Sequence, residues 1–275
     1  MKKYALGLLA GLLFSANAMA ENIYPISREM GSGTRGAFVE IFEVQKKIND
    51  KKVDATTQKA EVTNSTGVMI ATVAGSKNSI GYISLGALND TVKALKVNNI
   101  APSVENINNG SYKISRPFNV VTKTTNPLIE DFLKYSTSTN AKGIVEKAGY
   151  IAVAKENFVS KKPSGKLVIA GSSSVTPLME KLVESYKVVN PNANIEIQQS
   201  DSTTGVNSVV EGIADIGMAS RAIKDSELQK GVIPLVLAID GLAVIVHKSN
   251  AIENVGKEVV KKIFMGDITK WQDVK

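Results

Sequence analysis

An α/β fold is the prediction, and three observations carry it. Strand-like apolar runs alternate with helix-like periodic segments along most of the chain. A length of 275 residues, 43% hydrophobic and 21% charged, suits one or two globular domains with a real core. Charge is scattered instead of gathered in blocks, so no long part of the chain reads as disordered.

Taken in chain order, residues 1–20 stand outside the fold. Lys2 and Lys3 precede an apolar stretch from Tyr4 to Phe14, and Ala18-Met19-Ala20 fits the small-x-small cleavage pattern of a secretory signal peptide. That stretch is too short to span a bilayer comfortably. No cysteine follows it, so the expectation is a secreted, periplasmic or extracellular protein that is not a lipoprotein. Loss of Lys2 and Lys3 takes the formal charge from +7 to +5, a mild excess that favours an anionic ligand.

Helical patterns are predicted to begin just after Gly33, Thr176, Thr203 and Val255. In the first, Ala37, Phe38, Ile41, Phe42 and Ile48 fall at helical spacing; in the second, Leu178, Leu182, Tyr186 and Val189 do. Strands are predicted at Gly81–Ser84, Lys166–Ala170, Ile195–Gln199, Ala214–Met218, Leu235–Ile239 and Leu242–His247. Residues 156–165, polar and carrying Pro163 and Gly165 without periodicity, read as a linker.

Three hydroxyl-rich clusters each lead into a helix: Ser27–Gly36, Gly171–Pro177 and Ser200–Gly205. Unpaired backbone N–H groups and a partial positive charge sit at a helix N-terminus. Ser and Thr add donors there, Gly admits close approach, and one Arg adds a bidentate contact. Three such starts around one cleft would enclose a small tetrahedral anion. Taken singly, such a cluster is most often an ordinary helix cap, and it is the recurrence of three with an adjacent Arg that favours an anion site.

Other chemistries find little support. The chain has no cysteine and one histidine, His247, which excludes thiolate and multi-histidine metal sites, disulfide frameworks and catalytic thiols. Gly31-Ser-Gly33-Thr-Arg-Gly36 matches G-x-G-x-x-G, with Asp50 and Asp54 about twenty residues on, but those Asp residues lie in a polar stretch and not at a strand end. No P-loop motif and no G-x-S-x-G elbow occurs. Scattered Lys-Lys pairs and 5% aromatics disfavour nucleic acid.

At these clusters the sequence resembles the phosphate-binding proteins of bacterial phosphate-specific ABC importers. The resemblance rests on Lys166–Pro177, Ala214–Arg221, Ala238–Val246, Phe264–Trp271, Ser27–Arg35, Ile80–Gly86 and Ile114–Pro117. It covers essentially all of the chain after residue 20. The order is unusual, because a typical member opens with the Gly-Ser-Ser-Ser segment and reaches the Ser-Arg and Gly-Ser-Gly-Thr segments mid-chain. The resemblance therefore implies a circular permutant, with the usual termini joined near residues 156–165. Both natural and engineered origins fit, the latter for example as a sensor module.

The resemblance further implies a two-lobed periplasmic binding protein fold of type II with an anion in the interlobe cleft. One lobe would comprise residues 21–116 and 244–275, the other residues 117–243. The residues matched to phosphate binding are Arg28, Ser32, Gly33 and Thr34 from the first lobe. Those from the second are Ser174, Val175 (through its N–H), Thr176, Ser202 and Ser220. Where well-known members carry an Asp that accepts from protonated phosphate, this chain has Ser220, whose neutral oxygen rejects sulfate less strongly; Asp201, Asp215 and Arg221 are candidates to compensate.

The expected function is an inorganic phosphate receptor that passes its ligand to a membrane permease. It is not expected to be an enzyme; it needs no cofactor, binds no nucleic acid and is expected to be a monomer. The alternatives are a receptor for sulfate, molybdate or another tetrahedral oxyanion, a periplasmic phosphatase or hydrolase, and a surface adhesin.

Overall fold

A computed structural model describes residues 21–274, so the signal-peptide prediction lies outside the described residues. The chain begins with β1 (Tyr24–Arg28), α1 (Gly33–Ile41), β2 (Gln45–Ile48), β3 (Lys51–Asp54), β4 (Glu61–Thr63), α2 (Thr66–Gly75) and β5 (Ser79–Ser84). Next come β6 (Val92–Ala94), β7 (Lys96–Val97), α3 (Val104–Asn108), β8 (Ser115–Thr122), α4 (Pro127–Ser136), α5 (Thr139–Lys147) and β9 (Ile151–Ala152). The remainder is β10 (Gly165–Ser172), α6 (Thr176–Val189), β11 (Ala193–Ser200), α7 (Ser202–Val210), β12 (Ile216–Ala219), α8 (Asp225–Leu228), β13 (Ile233–His247), β14 (Asn254–Val255) and α9 (Lys257–Met265).

One mixed sheet runs β11-β10-β12-β8-β13-β5-β1-β4, with β6 and β9 added alongside β13. β10, β11 and β12 are parallel, as are β1, β4 and β5. Between these parallel groups lie β8 and β13, antiparallel to each other and to the strands they flank. The two strands predicted at Leu235–Ile239 and Leu242–His247 are one continuous strand, β13. Asp240-Gly241 read as a break, yet the backbone stays extended because residues 239–241 pair with Ser115–Pro117 of β8. Residues 242–246 then pair with β5.

Buried apolar side chains gather on either side of this crossing. Phe118, Phe132, Tyr135, Leu178, Leu182 and Tyr186 belong to one cluster, against β10 and β11. Phe38, Phe42, Tyr82, Leu95, Val244 and Phe264 belong to another, joining α1, β5 and α9. There Phe38 stacks on Tyr82 with ring centroids 3.9 Å apart.

The first predicted helix is shorter than its periodicity suggested. It stops at Ile41, and Glu43 takes a left-handed φ of 57°. Ile48 lies beyond it in β2, paired opposite Lys51 of β3. A coincidence of spacing put Ile48 in phase with Ala37 and Ile41.

Residues 153–164, between β9 and β10, form no regular element. Ser160 Oγ and the Lys161 N–H donate to the Asp131 carboxylate at 2.6 and 3.0 Å, and the Phe158 N–H donates to Asn140 Oδ1 at 2.9 Å. Asp131 and Asn140 thus pin this segment against α4 and α5. Segments distant in sequence also meet at the two ends of the described chain, where Asn22 and Lys270 form a β-bridge.

Candidate functional site

β1 ends at Arg28, a residue only 2% exposed. Tyr82 of β5 fixes that strand end: its hydroxyl lies 2.8 Å from Ser27 Oγ and accepts from the Arg28 N–H at 3.2 Å. Burial pushes the Tyr82 phenol up to about 12, so it stays a neutral hydrogen-bonding group. The Arg28 guanidinium makes a two-pronged pair with Glu29 at 2.7 and 2.8 Å. It also reaches Ser173 Oγ at 3.1 Å and Thr66 Oγ1 at 3.4 Å.

A cluster of buried hydroxyls surrounds this cation. Thr34 Oγ1, at the start of α1, lies 2.7 Å from Ser174 Oγ and 3.4 Å from Ser220 Oγ. Thr66 Oγ1, at the start of α2, lies 3.0 Å from Ser174 Oγ. Ser172 Oγ donates to Ser220 Oγ at 3.0 Å, and the Ser220 N–H donates to Ser202 Oγ at 3.1 Å. The N-termini of α1, α2 and α7 thus converge with the turn before α6. Aligned peptide dipoles there give a positive potential without free positive side chains.

Glycine permits the approach. A Cβ at Gly33 would overlap Ser202 Oγ and stand 2.7 Å from Ser220 Oγ, contacts no real side chain makes. Across the same seam, the Thr203 N–H and hydroxyl both donate to the Gly31 carbonyl, at 3.2 and 3.1 Å.

Five of the sequence-predicted residues therefore come together: Arg28, Thr34, Ser174, Ser202 and Ser220, with Gly33 as the point of contact. Ser32 stays at the edge as the N-cap of α1, accepting from the Arg35 N–H at 3.3 Å. Val175 and Thr176 turn elsewhere. The Val175 N–H donates to the Ser172 carbonyl at 2.9 Å, and the Thr176 hydroxyl donates to the same carbonyl at 3.1 Å.

Sequence reasoning missed Thr66 and did not select Ser172 or Ser173. The signal for Thr66 was Asn64-Ser65-Thr66-Gly67 directly after a short strand, a fourth hydroxyl-rich helix start. It was overlooked because β4 is only three residues long and exposes Val62.

The side chains expected to compensate for a neutral Ser220 are committed to other bonds. Asp201 caps α7, accepting from the Thr203 and Thr204 N–H groups at 2.8 and 2.9 Å. Asp215 accepts from the Val168 N–H at 2.7 Å. Arg221 pairs with Glu227 at 2.7 Å. The carboxylate in contact with the cluster is Glu29, through Arg28.

Among the described residues, no group of three or more His, Cys, Asp or Glu side chains is placed to hold a metal ion. Nor is any described helix long and apolar enough to cross a membrane. His247 lies at the end of β13 with Nδ1 2.8 Å from Ser249 Oγ, so it reaches none of the clustered hydroxyls.

A family model described as "PBP superfamily domain" matches residues 13–140 and 159–275. A protein of Streptococcus agalactiae named "Phosphate-binding protein PstS 2" is 48% identical over 275 residues, covering 98% of this chain and 94% of that protein. The crystal structure of a phosphate ABC transporter phosphate-binding protein from Streptococcus pneumoniae superposes with a TM-score of 0.72 at 40% identity, covering 93% of this chain and all of that one. The phosphate-binding protein PstS of Bacillus subtilis matches more narrowly, at 33% identity over 115 residues, 41% of this chain and 38% of that protein.

Proposed function

This chain belongs to the phosphate-binding proteins of the PBP superfamily, and from that membership we propose that Arg28 and the hydroxyls of Thr34, Thr66, Ser174, Ser202 and Ser220 hold inorganic phosphate. The protein is the extracytoplasmic receptor of an ABC-type phosphate importer and is not an enzyme. A monomer, exported by a cleaved signal peptide and free of nucleic acid, fits its composition and topology.

The observation that carries the site is the 2.7 Å contact between Thr34 and Ser174, hydroxyls 140 residues apart in sequence, beside a buried arginine. Bringing these groups together buries polar surface that an apolar interface would not, so their placement has a ligand-binding rationale. Each charge-assisted hydrogen bond to an oxyanion contributes about 1.5–3 kcal/mol, before ordering and desolvation costs. Micromolar binding needs about 8 kcal/mol net, so a handful of donors with preorganised N–H groups suffices.

Seating an anion between hydroxyls now in contact requires the two sides to part and then close on it. Division into residues 21–116 with 244–275 and residues 117–243 gives the two bodies for that motion, since the buried clusters separate at β8 and β13. Closure then presents the loaded receptor to a permease.

A permuted order explains the remaining features. A 12-residue segment pinned by Asp131 and Asn140 joins β9 to β10, and the Asn22–Lys270 bridge sets the opposite break in a well-paired region. A short local match to the Bacillus subtilis protein is what a reordered chain gives when only one block aligns. The Streptococcus agalactiae relative aligns along the same segment order, which favours a natural origin over engineering.

Isothermal titration of phosphate into the ligand-stripped chain tests the reading, run with and without excess sulfate and repeated on Arg28→Ala. One-to-one phosphate binding, weakened more than about tenfold in the variant, is expected. An unchanged dissociation constant in Arg28→Ala overturns the site. Because Ser220 is neutral and Asp201 is spent on capping, a second reading is receptor for another tetrahedral oxyanion; tighter binding of sulfate than of phosphate would establish it.

A further inference from the structure

We propose that the β2–β3 ribbon is a membrane-surface anchor that grips anionic lipid headgroups; this rests on the extracytoplasmic receptor reading above. The ribbon is a separate two-stranded sheet, joined to no other strand among the described residues. Its two-residue turn, Asn49-Asp50, has left-handed φ values of 48° and 59°, the form that suits a tight hairpin. Four of its eight strand residues are lysines: Lys46, Lys47, Lys51 and Lys52, all exposed.

The pairing is unfavourable for a ribbon left alone in water. Lys47 stands directly opposite Lys52, and like charges so placed repel. Near the ribbon the carboxylates are Glu43, which pairs chiefly with Lys257 and lies within reach of Lys52, Asp50 in the turn and Asp54 at the base. Asp54 is taken up by Arg35 at 2.7 Å and by Thr56. An external anionic surface relieves the repulsion.

A membrane suits the arrangement better than an acidic protein patch for two reasons. Lysines occupy both faces of the ribbon, since Lys46 and Lys47 are adjacent in a strand, as are Lys51 and Lys52; a headgroup layer entered turn first surrounds both faces, whereas a protein patch complements one. Ile48, 47% exposed, sits at the ribbon's end beside the turn and opposite Lys51. An apolar tip flanked by lysines, whose stems lie along apolar surface while their heads stay wet, matches the headgroup boundary.

The ribbon is also tied to the site. Arg35 bonds Asp54 at its base and donates to the Arg28 carbonyl at 2.8 Å. Lys52 and Asp54 line a cavity of about 490 Å³ shared with Met30, Arg221 and Lys224, at the outer edge of the seam. Anchoring through the ribbon turns that edge toward the membrane, where a permease takes delivery.

The test is flotation of the full chain lacking its leader with phosphatidylcholine vesicles, with and without 30 mol% phosphatidylglycerol. Each lysine near an anionic leaflet strengthens binding on the order of fivefold. Association with the anionic vesicles alone, abolished by 0.5 M salt, is expected. The variant Lys46→Gln/Lys47→Gln/Lys51→Gln, checked for folding by circular dichroism, should bind those vesicles roughly a hundredfold more weakly. Lys52 is kept because it lines the cavity. Phosphate affinity of the variant, measured by titration, should equal that of the parent. If the parent ignores anionic vesicles, or the variant binds them equally well, the proposal falls. Retention on solubilised permease that needs these lysines, without vesicle binding, also overturns it in favour of a protein contact. Failure of phosphate binding in the parent would instead strike the receptor reading, since flotation uses no phosphate.

Discussion

Arg28 shows what one residue can do when its surroundings are arranged for it. Its guanidinium is held flat by Glu29, leaving Nη1 and Nη2 to face Thr66 and Ser173. The opposing side depends on Gly33, where any side chain collides with Ser202 and Ser220. Gly33→Ala should therefore hold the two sides apart and raise the phosphate dissociation constant at least about tenfold, while the melting temperature changes little. Equal affinity in the alanine variant would show that the seam does not close at this point.

Much of this residue-level picture was legible beforehand. Arg28, Thr34, Ser174, Ser202 and Ser220 converge because each ends a strand or lies in the turn or helix start just after one, a local pattern that sequence displays. Thr66 escaped because its strand is short, and the Val175 N–H and Thr176 hydroxyl turn from the cluster for a different reason. Which hydroxyls and N–H groups face the cluster depends on the local turn at Ser172, whose carbonyl takes both of theirs. Such a choice is made by backbone geometry and leaves no trace in residue type.

Among the elements, α7 is placed by close backbone contact. Gly171 has a φ of +130°, and a Cβ there would stand 2.5 Å from the Met218 carbonyl and 3.0 Å from Gly205 Cα. β10, β12 and α7 meet at that point, which is how Ser202 comes to lie under Ser220. Gly171→Ala should cost roughly 2 kcal/mol or more in unfolding free energy, read from the denaturant midpoint at unchanged slope. The helix starts and β10 were visible in the sequence. The β2–β3 ribbon was not, since adjacent lysine pairs carry no apolar period and Ile48 continued the preceding helix's spacing. β13 was visible in halves, because glycine beside aspartate usually marks a turn. Pairing of residues 239–241 with β8, continued by β5 from Leu242, keeps it extended.

For the molecule as a whole, the crossing of β8 and β13 holds a buried ion pair. Arg116 and Asp240 stand opposite each other in register, 3.2 Å apart, with Ser84 donating to Asp240 at 2.9 Å. Arg116 Nη1 and the Tyr150 hydroxyl are buried without partners among the described residues. Burial raises the Asp240 carboxyl to about 6, outweighing the pull of Arg116 and Ser84, and burial likewise lowers Arg116. The folded chain then binds this proton more tightly than the unfolded chain does. Asp240 thus favours folding below about pH 4, and that contribution fades as pH rises through 6. Asp240→Asn should remove it, on the order of 2 kcal/mol, from the difference in unfolding free energy between pH 4.5 and pH 7. Parallel denaturant titrations of parent and variant check this, and identical pH dependence would place the proton elsewhere.

Because β13 belongs to both halves of the sheet, it also sets the order in which the chain can fold as it is made. β5 is complete at Ser84, yet its partner residues, Leu242–Val246, are synthesised roughly 160 residues later. At about 5–20 residues per second, that leaves one edge of β5 without its partner strand for on the order of ten seconds or more. An open edge on a nascent chain is a template for wrong pairing. A chain of this design benefits from being kept extended until β13 has emerged, a demand made by its connectivity and independent of the stability of the finished fold.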